Sequence, residues 1–429
     1  MSFARLILKL TITLTALSLA LSANSLENSG KNLPYLEPWP GEITIVASTP
    51  VPHSVTPTRQ YYEEVVECGF NAGMEGGSID FYKQQFELIG DLKFKYFIDN
   101  SALFTDKRKD FIKAFENNPR FAGWKFKDEP RYDKLDELEK QYRALYKDDS
   151  KNLIYINLIG GINKIFTGNL TDFPSYLKLI QKRFTPAVWS YDQYPISVKN
   201  GKVKVSHDSF YYDFECFRDI SKQTDRPFWA YCQSMAFKTS YVERPAATEA
   251  YLRFEAFSAL AYGAQGIVYW TYGQRDSNKA ETYYSALVNK DGKKTAAWYA
   301  AKKVNGEIKK FNDVFYQCDV KDVKHTGSKL YKGTKKLSGS FGPFSKVSSG
   351  TSGVLASRIE KDGKTYIVFV SHDVLAKQNL TLVVASGKKV RDITTQGNME
   401  YEAGKTIKVS LDKGGYAIFE EILISKETP

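Results

Sequence analysis

Asp128 and Glu129 stand side by side in "GWKFKDEPRY" (123–132), where an apolar, aromatic run ends at a proline. Two adjacent like charges repel each other, so at least one of them has a partner or a task. Adjacent carboxyls do proton chemistry well: the charge of one holds a proton on the other and lifts its pKa toward working pH. Lys125, Lys127 and Arg131 flank the pair and offer the competing explanation, simple neutralisation. Alternation along a strand puts Lys125 and Lys127 on the same side as Glu129.

Other chemistries find little support in the sequence. There are four histidines, with no HExxH and no paired metal spacing. There is no serine nucleophile elbow and no phosphate loop, so neither a metal nor a cofactor is called for. What remains is carboxylate chemistry, and glycosidic bond cleavage is the reaction that most often needs only carboxylates. One group protonates the leaving oxygen while a second attacks the sugar carbon or activates water.

The elements that must position these groups follow from the apolar pattern. "EITIVAS" reads as a strand and "TRQYYEEVVECG" as a helix ended by Gly69. The same alternation recurs through "FNAGMEGG", "KFKYFIDNSAL", "FAGWKFKDEP", "NLIYINLI", "AVWSYDQYPI", "RPFWAYCQSMAF" and "GIVYWTYG", each followed by a helical stretch. Eight strand-then-helix units in roughly 280 residues imply parallel strands closed into a (β/α)₈ barrel, expected over 38–325. A doubly wound sheet competes less well, because no glycine-rich fingerprint follows the first strand. Beyond "SGSFGPFSKVSSGTSG", which reads as a connector, alternating runs with a turn at Asp362-Gly363 predict a small antiparallel β-sandwich over 338–429. Packing against the barrel is its expected role.

In such a barrel function collects at the C-terminal ends of the strands. Those ends carry Glu75 on strand two, Asp99 and Asn100 on strand three, and Asp128 and Glu129 on strand four. Asn157 follows on strand five, Trp189, Tyr191, Asp192 and Tyr194 on strand six, Gln233 on strand seven, and Trp270 and Tyr272 on strand eight. So many carboxylates, amides and rings at one face point to a polar ligand, and flat rings suit the C–H faces of sugars.

"GWKFKDEP" resembles the strand-four signature of the large retaining clan of (β/α)₈ glycoside hydrolases that includes β-galactosidases and cellulases. In that clan the acid/base glutamate follows an asparagine, as Asn-Glu-Pro. "EAFSALAYGAQGIVYWTYG" resembles the passage into strand eight of its galactosidase-like members, whose terminal tryptophan floors the sugar site. The resemblance implies Glu129 as general acid/base and Trp270 as sugar platform. Asp128 stands where the clan has asparagine, and Gln233 lies in "YCQSM", where the clan has its nucleophilic glutamate. Three explanations are open. Asp192, two strands from Glu129 and so roughly 8–10 Å away at the backbone, is the second carboxylate. Alternatively, Asp128-Glu129 acts like the pair of N-acetylhexosaminidases, with the substrate's acetamido group as nucleophile and Tyr191 or Tyr194 completing its contact. Or the barrel binds glycan without cleaving it.

The remaining features bound the setting. The chain has 60 Lys+Arg against 49 Asp+Glu, with the lysines scattered rather than striped, which disfavours a nucleic-acid partner. "MSFARLILKLTITLTALSLALSANS" has the basic start, apolar run and small-residue exit of a signal peptide ending near residue 23, so a secreted or periplasmic protein is expected, without stable membrane insertion. Cys68, Cys216, Cys232 and Cys318 lie far apart in apolar surroundings and read mostly as buried thiols.

Overall fold

A computed structural model describes residues 37–161, 164–184, 186–394 and 398–423. The expected signal peptide lies outside the described residues. Eight parallel strands form a closed barrel: β1 (Thr44–Ser48), β2 (Ala72–Gly76), β3 (Lys95–Asp99), β4 (Phe121–Asp128), β5 (Ile154–Ile159), β6 (Trp189–Asp192), β7 (Phe228–Gln233) and β8 (Gly266–Trp270). Each pairs with its sequence neighbours, and β8 closes on β1 with Thr44 beside Gly266. A helix follows every strand, from Arg59–Glu67 after β1 to Ala296–Lys310 after β8.

The strands are apolar on both faces because both faces are covered. Val46, Met74, Phe97, Tyr155, Trp229 and Val268 fill the barrel interior. Ile45, Ile98, Ile156, Ile267 and Tyr269 face the helices in a second, larger cluster. Gly266 is required by this packing, since a Cβ there would lie 2.5 Å from the Trp229 ring.

Two features depart from the sequence expectation. Short strands within the loops after β6, β7 and β8 assemble a five-stranded antiparallel sheet, in the order Thr282–Ser285, Ala236–Lys238, Glu243–Arg244, Ile196–Lys199, Lys202–Val205. This sheet crowns one side of the barrel mouth. The sandwich also begins earlier than 338. Asp319–His325, expected at the end of the barrel, is the edge strand of a six-stranded sheet, and Phe344–Ser349, inside the expected connector, belongs to the facing three-stranded sheet. Asp362 and Gly363 form the expected tight turn, with φ of 49° and 77°.

Sandwich and barrel pack directly. Phe257 stacks on Tyr416 with ring centroids 3.6 Å apart, and the Ser357 hydroxyl donates to Ala261 O at 2.6 Å. The four cysteines are free thiols, three of them buried. No described helix is long and apolar enough to cross a membrane.

Candidate active site

The end of β4 is bent before it reaches the carboxylates. Its pairing with β5 shifts between Lys125 and Lys127, a bulge that breaks the alternation expected from the sequence. Lys125 is drawn between Asp99 (3.3 Å) and Asp128 (3.9 Å), while Arg131 turns away to Asp133 (3.0 Å). The ion pair of Lys125 is thus with Asp128, and its charge acts on Glu129 less than burial and Asp128 do. Glu129 adopts φ +42°, a left-handed conformation that costs a non-glycine residue roughly 1–2 kcal/mol, and its N–H donates to Asn157 O at 2.9 Å.

Asn157 organises the centre of the site. Its Nδ2 donates to Asp128 Oδ1 at 3.0 Å and to Asp192 Oδ1 at 3.1 Å, joining the ends of β4 and β6. Its Oδ1 accepts from Ser190 Oγ at 2.9 Å, and Ser190 Oγ lies 2.5 Å from Tyr155 Oη in the barrel interior. Because this amide is buried and fully engaged, it fixes the carboxylates that it touches.

Glu129 and Asp192 are close enough for each carboxyl to act on the other. Burial, and then the charge of Asp128, raises Glu129 to about 7. Burial, followed by the charges of Glu129 and Asp128, also pushes Asp192 well above the usual carboxylate range. Two carboxyls that close, in a desolvated place, share a proton rather than both ionising. The arrangement supplies a group protonated near neutral pH at the mouth of the barrel, as general acid catalysis requires.

Facing this group is Trp270, partly exposed at the end of β8. Three rings fix the indole: Tyr194 at 5.8 Å, Phe237 at 5.2 Å and Tyr283 at 5.9 Å between centroids. Phe237 and Tyr283 come from the crown sheet and were not singled out in the sequence. The Asn200-Gly201 hairpin signal between two alternating runs marks that sheet, with φ of 52° and 69°.

The structure thus gathers Asp99, Asp128, Glu129, Asn157, Asp192, Tyr194 and Trp270 at the mouth. Other expected site residues lie elsewhere. Ser190 and Asp192 face inward on β6, so Trp189 and Tyr191 face outward. Trp189 is buried, donating from Nε1 to Thr224 Oγ1 at 2.9 Å, and Tyr191 stacks on Phe217 at 3.9 Å. Tyr272 is buried beneath the helices, where its Oη accepts from Trp298 Nε1 at 3.0 Å. Gln233 is 3% exposed on the inward face that it shares with Trp229 and Tyr231, and its Nε2 donates to Pro245 O at 2.9 Å, which ties it to the crown. Glu75 lies on the outward face of β2, where Tyr96 of the neighbouring β3 donates to Glu75 Oε2 at 3.2 Å. His53 lies 3.5 Å from the same carboxyl, which burial raises to about 8.

The comparisons with known proteins agree with this geometry. The family model of glycoside hydrolase 42, β-galactosidase, matches residues 161–311, from the loop after β5 through β6, the crown and β8. Gan42B, a GH42 β-galactosidase from G. stearothermophilus, superposes with a TM-score of 0.58 at 9% identity over 89% of this chain and 98% of that one. The β-galactosidase from Bacillus circulans sp. alkalophilus gives 0.58 at 9% identity over 91% and 100%. Against the β-galactosidase from the psychrophilic Marinomonas ef1 the TM-score is 0.45 at 10% identity, over 62% of this chain and 59% of that one. No curated protein matches the sequence. The chain thus carries a glycoside hydrolase 42 match over the second half of its barrel and shares the barrel-plus-sandwich fold of these β-galactosidases.

Proposed function

We propose that the protein is exported and cleaves O-glycosidic bonds of oligo- or polysaccharides, with Glu129 as the general acid. The observation that carries this reading is the gathering of Glu129, Asp128 and the Asn157-held Asp192 at the barrel mouth, facing Trp270. Glu129 gives its proton to the glycosidic oxygen as the bond to the sugar carbon breaks. Asp192 keeps that proton in place beforehand, and Asp128 positions the substrate and adds the charge that holds Glu129 in its acid form. Trp270 carries the apolar face of the sugar. Export rests on the leader-like N-terminus. The names of the structural neighbours make a β-galactoside the first substrate to try.

A second reading follows from how close Glu129 and Asp192 lie. Opposed carboxyls stand about 5–5.5 Å apart in retaining enzymes and about 6.5–9.5 Å apart in inverting ones. Burial and the charges of Glu129 and Asp128 hold the Asp192 carboxyl well above the usual carboxylate range, so Asp192 is a partner of the acid rather than the attacking group. Cleavage of N-acetylhexosaminides, with the substrate's own acetamido oxygen attacking, needs no second opposed carboxylate and accommodates such a pair.

The test is hydrolysis of matched aryl glycosides with and without the acetamido group, wild type beside Glu129→Gln. Activity confined to acetamido sugars and blocked by a thiazoline analogue supports substrate assistance. Activity on galactosides that the analogue does not block supports the two-carboxylate route. A Glu129→Gln enzyme as active as wild type overturns the assignment of the acid.

A further inference from the structure

The crown carries two guanidinium groups beside the sugar platform. Phe237 pairs with Arg244 on one side and with Tyr283 on the other, and residues directly opposite in antiparallel strands share a face. Phe237 and Tyr283 reach Trp270 from that face, so Arg244 stands on it with them. Arg275, in the loop after β8, lies at the other end of this row, with its Cζ 5.9 Å from the Tyr283 ring centroid.

Arg244 is tied to the ends of β6 and β7. The next residue, Pro245, accepts through its O from Gln233 Nε2 at 2.9 Å, and Arg244 Nη1 donates to Ile196 O at 2.8 Å, two residues past Tyr194. Arg244 Nε is buried without a partner. Both arginines are half-buried, and neither forms an ion pair among the described residues. The acids around the crown have other partners. Glu243 pairs with Lys238 at 3.2 Å on the opposite face, and the Glu281 carboxylate accepts from Tyr283 Oη. Glu255 lies beneath β7, accepting the Gln233 N–H at 2.9 Å, and burial pushes its carboxyl up to about 8, so it stays neutral and does not offset Arg244. A guanidinium withdrawn from water without a counter-charge is costly, and its planar fork meets a carboxylate or sulfate with two hydrogen bonds.

We propose that the crown selects an acidic sugar: Arg244, with Arg275 at the far end of the row, binds a carboxylate or sulfate on C6 of the ring that lies on Trp270. The inference rests on the reading of the mouth as a glycosidase site and names the substrate class of that site. A ring whose C–H face lies on the indole turns its exocyclic group to the edge of the platform, where the guanidinium groups stand. The net charge of +11 favours the same partner, since a positive field draws an anionic glycan toward the mouth.

The experiment uses the full-length enzyme and 4-nitrophenyl β-glycosides matched except at C6, which carries a hydroxymethyl, a carboxylate or a sulfate ester, in the galacto, gluco and 2-acetamido-2-deoxy series. The wild type should favour one acidic form over its neutral counterpart by about 10²-fold in kcat/KM, and the form preferred tells carboxylate from sulfate. That preference should shrink at least about tenfold in Arg244→Gln, recover in part in Arg244→Lys, and weaken as sodium chloride rises from about 0.05 to about 0.5 M. Arg275→Gln, a loop substitution, should reduce it as well and reads out the same rim should Arg244→Gln fail to fold. Equal kcat/KM on the neutral and acidic forms of every series overturns the proposal, and so does a preference that neither substitution lowers. Either result leaves the reading of Glu129 standing. If instead Glu129→Gln matches the wild type on the preferred acidic form, the reading of Glu129 fails while selection by the crown is supported.

Discussion

Glu129 and Asp192, at the ends of β4 and β6, lie close enough for the charge of each to act on the other, and burial raises both carboxyls. The sign of the pH dependence follows. An acid raised to about 7 is protonated, and competent to donate, below that pH. We expect kcat to hold at mildly acidic pH and to fall as pH rises through about 7. A kcat profile flat between roughly pH 5 and 9 would rule out Glu129 as the titrating acid.

Asn157 holds two carboxylates with one amide nitrogen. Asn157→Ala frees Asp128 and Asp192 and leaves Ser190 Oγ with Tyr155 Oη as its partner. Misplacement of this size costs about 10²-fold in rate, and the lost hydrogen bonds cost roughly 1–3 kcal/mol of stability. Steady-state kinetics beside a urea titration would separate the two effects. A variant that is destabilised but fully active would show that the amide serves only the fold.

Gln233 occupies the strand-seven position but not its chemistry. Gln233→Glu removes the amide donor to Pro245 O and places an acid at a 3% exposed site. The expected result is lower stability, by about 1–3 kcal/mol, and no gain in rate. A rise in kcat would mean that the wall can turn this side chain into the opening.

Trp270 is fixed by Tyr194, Phe237 and Tyr283. Trp270→Ala removes both the platform and the ring against which the crown packs, and kcat/KM should fall at least about tenfold, equivalent to about 1.4 kcal/mol. Trp270→Phe should recover part of the loss. Equal kcat/KM for all three enzymes would remove the sugar from this surface.

Three buried acids set the pH dependence of stability. Glu75, Asp213 and Glu255 are raised to about 8, each chiefly by burial. The folded state therefore binds protons that the unfolded chain releases near pH 4, so stability falls as pH rises from about 4 toward 8. Glu255→Gln keeps an acceptor for the Gln233 N–H and carries no charge. Its Tm advantage over wild type should be larger at pH 8.5 than at pH 5, by on the order of a few °C. A difference independent of pH would assign the effect to packing.

Much of the fold was legible because parallel strands covered on both faces are short apolar runs between amphipathic helices, and the chain repeats that unit eight times. Asp128, Glu129, Asn157 and Asp192 were legible because barrel chemistry sits at strand ends. The same apolar character on both faces hid the phase of each strand. Trp189 and Tyr191 flank the inward Ser190 and, like Asp192, sit at a strand end, yet a one-residue step in phase sends them under the helices. The crown strands were missed because they are two to four residues long and lie inside loops. Phe237 and Tyr283 went unnoticed with them.

The most direct measurement is hydrolysis of a panel of aryl glycosides and oligosaccharides by the wild type beside Glu129→Gln. Turnover of one sugar class that falls about 10²-fold or more in the variant, with glycan affinity kept, is the predicted result. Undiminished turnover in Glu129→Gln, or a wild type that binds glycans and cleaves none, would contradict the account.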